Sequence, residues 1–172
     1  MNNLNLSAAG LAALLLAATV PARAEYPVTT QATLLSRIQI EDLLVSYYSG
    51  FGASKDDFAN SYLEEGVLDV NGTIYTGRAA IKGAYSGAPA AQGAFHMLMT
   101  NPRIRIDGDT ATAEVLWTGV NNDNVKAAPR FIEQGREVDQ LVRRDGRWFL
   151  KRREITSDGG LPEAYEKNYR KR

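Results

Sequence analysis

The sequence predicts an α+β fold: a cone-shaped barrel in which a curved antiparallel sheet packs on three N-terminal helices. Three observations predict it. Apolar residues recur at helical spacing from Ala32 to about Ser86, interrupted by one short hairpin. Long extended runs take over from Phe95 to Thr156. The dipeptides Asn71-Gly72 and Asp145-Gly146 join extended runs as tight hairpins. Helices first and a long meander afterwards place the helices on one side of a sheet. A sheet that curls without closing leaves a cavity between itself and the helices, and such cavities hold ligands.

Residues 1–24 read as an export signal. Leu11 to Val20 is an uncharged apolar run, Pro21 breaks it, and Ala22-Arg23-Ala24 supplies the small-x-small cleavage site. The run is short for a membrane span, which takes roughly 20 apolar residues. The expectation is therefore a periplasmic or secreted protein, with no stable membrane insertion after cleavage. Removing 24 of the 172 residues leaves 148, enough for one domain with a core of its own. The chain holds 20 basic and 20 acidic residues; without Arg23 the balance is 19 against 20, or −1. A near-neutral domain with no basic stripe argues against nucleic acid as a partner. There is no cysteine, so thiol nucleophiles, thiolate metal sites and disulfides are excluded.

Residues 25–31 form an extended lead-in punctuated by Pro27. The first helix carries an apolar stripe of Leu34, Leu35, Ile38, Leu43, Leu44 and Tyr48, and Gly50 and Gly52 end it. Ser54 reads as the N-cap of a second helix, with Asp56 and Asp57 in its first turn and Phe58, Tyr62 and Leu63 on its apolar side; it stops at Gly66. Residues 67–70 and 73–75 pair across Asn71-Gly72. A third helix opens at Gly77-Arg78, and the stretch 87–94 is a loop. Four long strands follow, over residues 95–106, 110–121, 131–143 and 147–156. The domain ends near residue 157, and 158–172 form a polar basic tail. Alternation along the second long strand sets Val115, Trp117, Gly119 and Asn121 on one face, read as the concave one. There Trp117 offers a flat wall and Gly119 leaves room; Trp117 as an interface residue on the convex face is the alternative. One histidine and scattered carboxylates give no metal-ligand spacing, and no glycine-rich phosphate loop follows a strand. No metal or cofactor is expected.

The ordered set Ile40-Glu41-Asp42-Leu43-Leu44 with Tyr47-Tyr48, Val67 to Val70, Gly77 to Ile81, His96 to Pro102, Asp107 to Ala111 and Asp139 to Trp148 resembles the SnoaL-like group of the nuclear transport factor 2-like superfamily. The likeness spans residues 32–156. Its characterised members include dehydratases, a ketosteroid isomerase and a dehydrochlorinase, which share cofactor-free proton abstraction inside an apolar cone. The resemblance implies a lyase of the dehydratase type, or an isomerase, acting on an apolar ring-containing small molecule. It implies His96 as the acid–base group, suited to the task because imidazole titrates near neutral pH. It implies Tyr47 as hydrogen-bond donor to the substrate oxygen. Asp139 resembles an oxyanion-stabilising aspartate, with pairing to Arg136, Arg152 or Arg153 on the sheet surface as the alternative. Tyr48, Phe51, Leu98, Trp117 and Asn121 complete the expected substrate-binding set. The resemblance also implies a homodimer or homotrimer. One position departs from the family pattern: Gly52 stands where relatives carry the aspartate that pairs with the histidine. That departure keeps a second function open, an exported module that binds a ligand or partner without turnover.

Overall fold

The computed structural model describes residues 28–52, 56–84, 94–122 and 126–159. The expected export signal (residues 1–24), the expected N-cap Ser54, residues 85–93 of the expected third helix and its loop, and the tail from 160 onward lie outside these residues. So do the side chains of Phe51, Asp56 and Asp57. The elements run α1 (Gln31–Gly52), a 3-10 segment (Asp56–Ser61), β1 (Tyr62–Val70), β2 (Thr73–Thr76), α2 (Arg78–Ala84), β3 (Ala94–Asp107), β4 (Thr110–Asn122), β5 (Arg130–Arg144) and β6 (Arg147–Gly159). No helix among the described residues is long and apolar enough to cross a membrane.

Thr30 and Thr33 start α1. The Thr30 N–H donates to Thr33 Oγ1 at 3.0 Å, and the Thr33 N–H returns to the Thr30 carbonyl at 3.1 Å, so donors left orphaned at the helix start are satisfied locally. The buried stripe of α1 is Ser36, Ile40, Leu44, Tyr47 and Tyr48. Leu34, Leu35 and Ile38, expected to face the core, are 47 %, 66 % and 45 % exposed. The helix carries apolar residues on more than one face, and the sheet takes the face that holds the tyrosine pair.

The predicted second helix is shorter than its pattern. A 3-10 segment carries Phe58, and Tyr62 and Leu63 already belong to β1. Tertiary contacts override local propensity here. Tyr62 pairs with Leu150 of β6, and Arg78 Nε and Nη2 donate to the Tyr62 carbonyl at 2.8 and 2.7 Å. Gly66 allows the irregular pairing that follows, because a Cβ there would lie 2.9 Å from the Tyr62 Cβ.

The six strands form one sheet in the order β2-β1-β6-β5-β4-β3. All neighbours are antiparallel except β1 and β6, which run parallel, so the sheet is mixed and not the purely antiparallel one expected. The last strand returns beside the first, and that closes the chain into one body. Asn71-Gly72 and Asp145-Gly146 occupy the left-handed region (φ 51° and 87°; 51° and 76°), as two-residue hairpins of the expected type require. Register shifts at Thr100/Arg103 on β3, at Gly119/Val120 on β4, and at Gln134/Gly135 and Gln140/Leu141 on β5 bend the sheet. Its curved inner face packs on α1 around Ile40, Leu44, Tyr62, Leu68, Ile81, Leu141, Trp148 and Leu150.

Candidate functional site

Cross-strand partners share a face, so the inner wall can be read as rows across the sheet. Beside the β5–β6 hairpin the row is Ala111, Leu141 and Leu150, all apolar and buried. The next row is Ala113, Asp139, Arg153 and Leu68. Then come Val115, Glu137, Ile155 and Val70. The fourth row is Met99, Trp117, Gly135 and Ser157. The fifth is Met97, Gly119 and Glu133. Polarity thus enters in the middle of the wall and returns toward the end where β3 begins and β6 finishes.

The middle rows hold a buried ionic network. Arg153 Nε donates to Asp139 Oδ1 at 2.7 Å and Nη2 to Asp139 Oδ2 at 2.9 Å, a bidentate pair. Arg153 Nη2 also lies 2.9 Å from Glu137 Oε1. The Tyr48 hydroxyl donates to Glu137 Oε2. Arg153, Glu137 and Asp139 are each 0 % exposed. The guanidinium rests on aromatic faces, with Cζ 4.0 Å from the Tyr47 ring centroid and 5.6 Å from that of Tyr48. Tyr47 in turn meets Tyr48, Phe58 and Tyr62 edge to face, at centroid distances of 5.4, 5.7 and 6.1 Å.

Burial sets the protonation of this network. Desolvation pushes the Glu137 carboxyl well above the ordinary carboxylate range; Arg153 opposes the shift and the charge of Asp139 adds to it. Desolvation likewise raises both tyrosines, Tyr48 further because Glu137 lies against it. Burial alone would lower Arg153, but Asp139 and then Glu137 hold its proton more firmly than usual. With Glu137 protonated, one cation faces one carboxylate and the network is neutral.

Glu133 differs. It is mostly buried on the inner face, opposite Gly119, and makes no hydrogen bond or ion pair among the described residues. Desolvation alone pushes its carboxyl up to about 7.

The inner wall brings together Tyr47, Tyr48 and Asp139 of the expected site. It places Trp117 and Asn121 on the same face, 4 % and 3 % exposed. Asp139 does pair with Arg153, but in the interior and not on the sheet surface. Tyr47 is 2 % exposed and packed on Arg153, so its contacts are with the protein. His96 is the main correction. It pairs with Val120 and is exposed, on the face opposite Met97 and Met99, which pack on the core. Leu98 follows it outward, 50 % exposed opposite Thr118. Strand parity is the reason: if Trp117 and its partner Met99 face inward, the even-numbered residues His96 and Leu98 cannot. Phe51 lies in α1, but its side chain is outside the described residues.

Glu133 and Glu137 carry no signal of their own in the sequence, and Arg153 enters there only as one of three candidate partners of Asp139. Both glutamates share the parity of Asp139 along β5, and that is the signal that could find them. Among the described residues no group of three or more histidines, cysteines or carboxylates is arranged to hold a metal ion.

A family model for the SnoaL-like domain matches residues 32–154. The chain belongs to the SnoaL-like family. Solved structures agree with the fold. An NTF2-like protein with a cystatin-like fold from Novosphingobium aromaticivorans is 22 % identical at a TM-score of 0.67, over 77 % of this chain and 88 % of that one. A protein from the same organism designated a scytalone dehydratase is 19 % identical at 0.67, over 76 % and 89 %. A protein of unknown function from Mycobacterium tuberculosis is 22 % identical at 0.66, over 74 % of each chain. No curated protein matches this SnoaL-like chain.

Proposed function

We propose that this SnoaL-like domain is a cofactor-independent acid–base enzyme, a dehydratase-like lyase ahead of an isomerase. Its substrate is an apolar, ring-containing small molecule bound on the inner face of the sheet. The supporting observation is the set of ionisable groups there with displaced proton affinities, Glu137, Tyr47, Tyr48 and Arg153, inside an otherwise aromatic and aliphatic wall. Such displacement concentrates at functional sites. The likeness in fold to a protein designated a scytalone dehydratase points the same way.

In this reading the buried network is the floor of the site. Its ionic members Arg153, Glu137 and Asp139 have no exposed surface, so they orient and set the field while the substrate sits above them. Tyr47 and Asp139 are positioning residues, and the acid–base work expected of His96 passes to carboxyls of the inner face. The export signal read at residues 1–24 puts the reaction outside the cytoplasm, which N-terminal sequencing of the mature protein tests. The exposed apolar residues Leu98, Leu116, Phe131 and Val138 on the outer face suit the self-association expected of the chain, a homodimer or homotrimer.

The test is a screen of hydroxylated ring ketones and unsaturated ring ketones for water loss or double-bond migration. On the best substrate, Glu137→Gln should lower kcat about tenfold or more and His96→Ala should leave it unchanged. A catalytic collapse in His96→Ala alone would return the chemistry to the outer face and end this reading. The second reading, binding without turnover, is favoured by the closure of the network on itself. It is preferred if ligands raise the Tm and none is converted.

A further inference from the structure

Resting on the enzyme reading above, we propose that Glu133 is the group that meets the substrate: a general base standing beside Gly119 that takes a proton from an uncharged ring held against Trp117. Three geometric facts converge on it. First, Glu133 lies on the inner face one row beyond Trp117 and Gly135, roughly 7 Å along the strand, so it stands above the floor and not within it. Second, its cross-strand partner is Gly119, which has no side chain, so the wall on that side of the carboxyl is backbone, with Met97 beyond it and the indole of Trp117 covering Gly135 one row on. Third, Met97, Gly119, Asn121 and Gly135 beside it carry no charge, Arg130 opposite Asn121 is exposed and does not pair with Glu133, and Glu133 has no partner among the described residues. A mostly buried carboxyl without a partner weakens a fold, and a site that uses it is the physical reason to retain one. Its proton affinity, raised to near neutrality by desolvation alone, suits a group that must both take and return a proton.

The chemistry balances without a co-reactant. Ionised Glu133 removes the proton from the carbon next to a carbonyl, and the C–H electron pair becomes the new C=C bond. In elimination the C–O bond to the neighbouring carbon breaks, and the departing hydroxide takes the proton back from Glu133 as water. In isomerisation the same proton returns at a different carbon. Either way Glu133 ends as it began. The same layout sets the substrate class. Arg153, the fully buried cation of the inner face, already faces Asp139 and Glu137, so it offers no free countercharge to an anionic substrate, which ionised Glu133 also repels.

Two measurements decide. Carboxyl-carbon NMR of glutamate-labelled protein, assigned with Glu133→Gln, follows Glu133 while neutral 2-naphthol or anionic 2-naphthoate is added as probe. The expected result is a shift with 2-naphthol and none with 2-naphthoate. A Glu133 signal that 2-naphthol leaves unmoved overturns the contact, and an equal response to 2-naphthoate overturns the substrate class. On the substrate found by screening, Glu133→Gln should lower kcat about a hundredfold with KM little changed, and Glu133→Asp should recover part of it. The rise of kcat/KM through neutral pH should vanish in Glu133→Gln. Turnover and pH profile that survive Glu133→Gln overturn the base while leaving the enzyme reading standing. Absence of any turnover by the wild type overturns the base role and the enzyme reading together, and the NMR arm then decides the contact alone.

Discussion

The indole of Trp117 lies directly on Gly135. The two are cross-strand partners, and a Cβ at Gly135 would stand 2.7 Å from Trp117 Cζ2 and 2.2 Å from the Thr156 carbonyl oxygen. The second contact is with backbone and cannot be relieved by a rotamer change. Gly135→Ala should therefore destabilise the domain by about 2–3 kcal/mol, as overpacking of a tight interior does. Denaturant unfolding checks it; a loss below the error of the measurement would show that the indole does not need the glycine.

Arg153 holds two carboxyls in a place with no water access. Arg153→Met leaves Asp139 without its bidentate partner and should cost about 3–5 kcal/mol, chiefly as the penalty of an uncompensated buried charge. Adding Asp139→Asn should recover part of that loss. Independent, additive effects in this double-mutant cycle would contradict the pairing.

Tyr48 donates to Glu137, and both are buried. Tyr48→Phe removes the donor and leaves the carboxyl oxygen unsatisfied, at a cost of about 1–3 kcal/mol. Thermal unfolding near neutral pH is the measurement. An unchanged Tm would mean that Glu137 draws its support from Arg153 alone.

Glu133 binds its proton more tightly folded than unfolded, with its carboxyl raised from 4.5 to about 7. Between those values the folded state carries the extra proton, so the Glu133 contribution to stability falls as pH rises from about 4.5 to about 7 and stays low above that. Glu133→Gln removes the penalty. The variant should match wild type near pH 4 and exceed it by about 2 kcal/mol near pH 8, the full shift being discounted for the residue's partial exposure. A variant that is less stable than wild type at pH 8 would indicate a hidden partner for the carboxylate.

His96 offers the simplest contrast. Its side chain is exposed on the outer face, so His96→Ala should change stability by less than about 0.5 kcal/mol. Denaturant unfolding of the two proteins side by side is sufficient.

Much of the architecture was legible because it depends on local chemistry. Positive-φ hairpins at Asn71-Gly72 and Asp145-Gly146 and the alternation along β4 follow from residue type and spacing. The face of α1 was less legible. Leu34, Leu35 and Ile38 satisfy an apolar pattern as well as Ile40, Leu44 and Tyr47 do, and only the partner surface chooses. The start of β1 was hidden for a similar reason, since Tyr62 and Leu63 fit a helix until β6 captures them.

The site divides along the same line. Residue parity in the sequence already determines that Glu133, Glu137 and Asp139 share a face with one another, and that His96 and Leu98 lie on the face opposite Met97 and Met99. It does not determine which arginine meets Asp139. Counting back from the Asp145-Gly146 turn, unbroken pairing joins Leu141 to Leu150 and would run on to set Asp139 opposite Arg152. Instead the register shifts beyond Leu141, Gln140 pairs with Arg152, and Asp139 meets Arg153. That one-residue bulge at Lys151 turns Arg153 into the interior and sends Arg152 outward to Asp69, 2.6 Å away. The tertiary structure decides it because a bulge is stabilised by the curvature of the whole sheet, and no local pattern of residues records where that curvature must be absorbed.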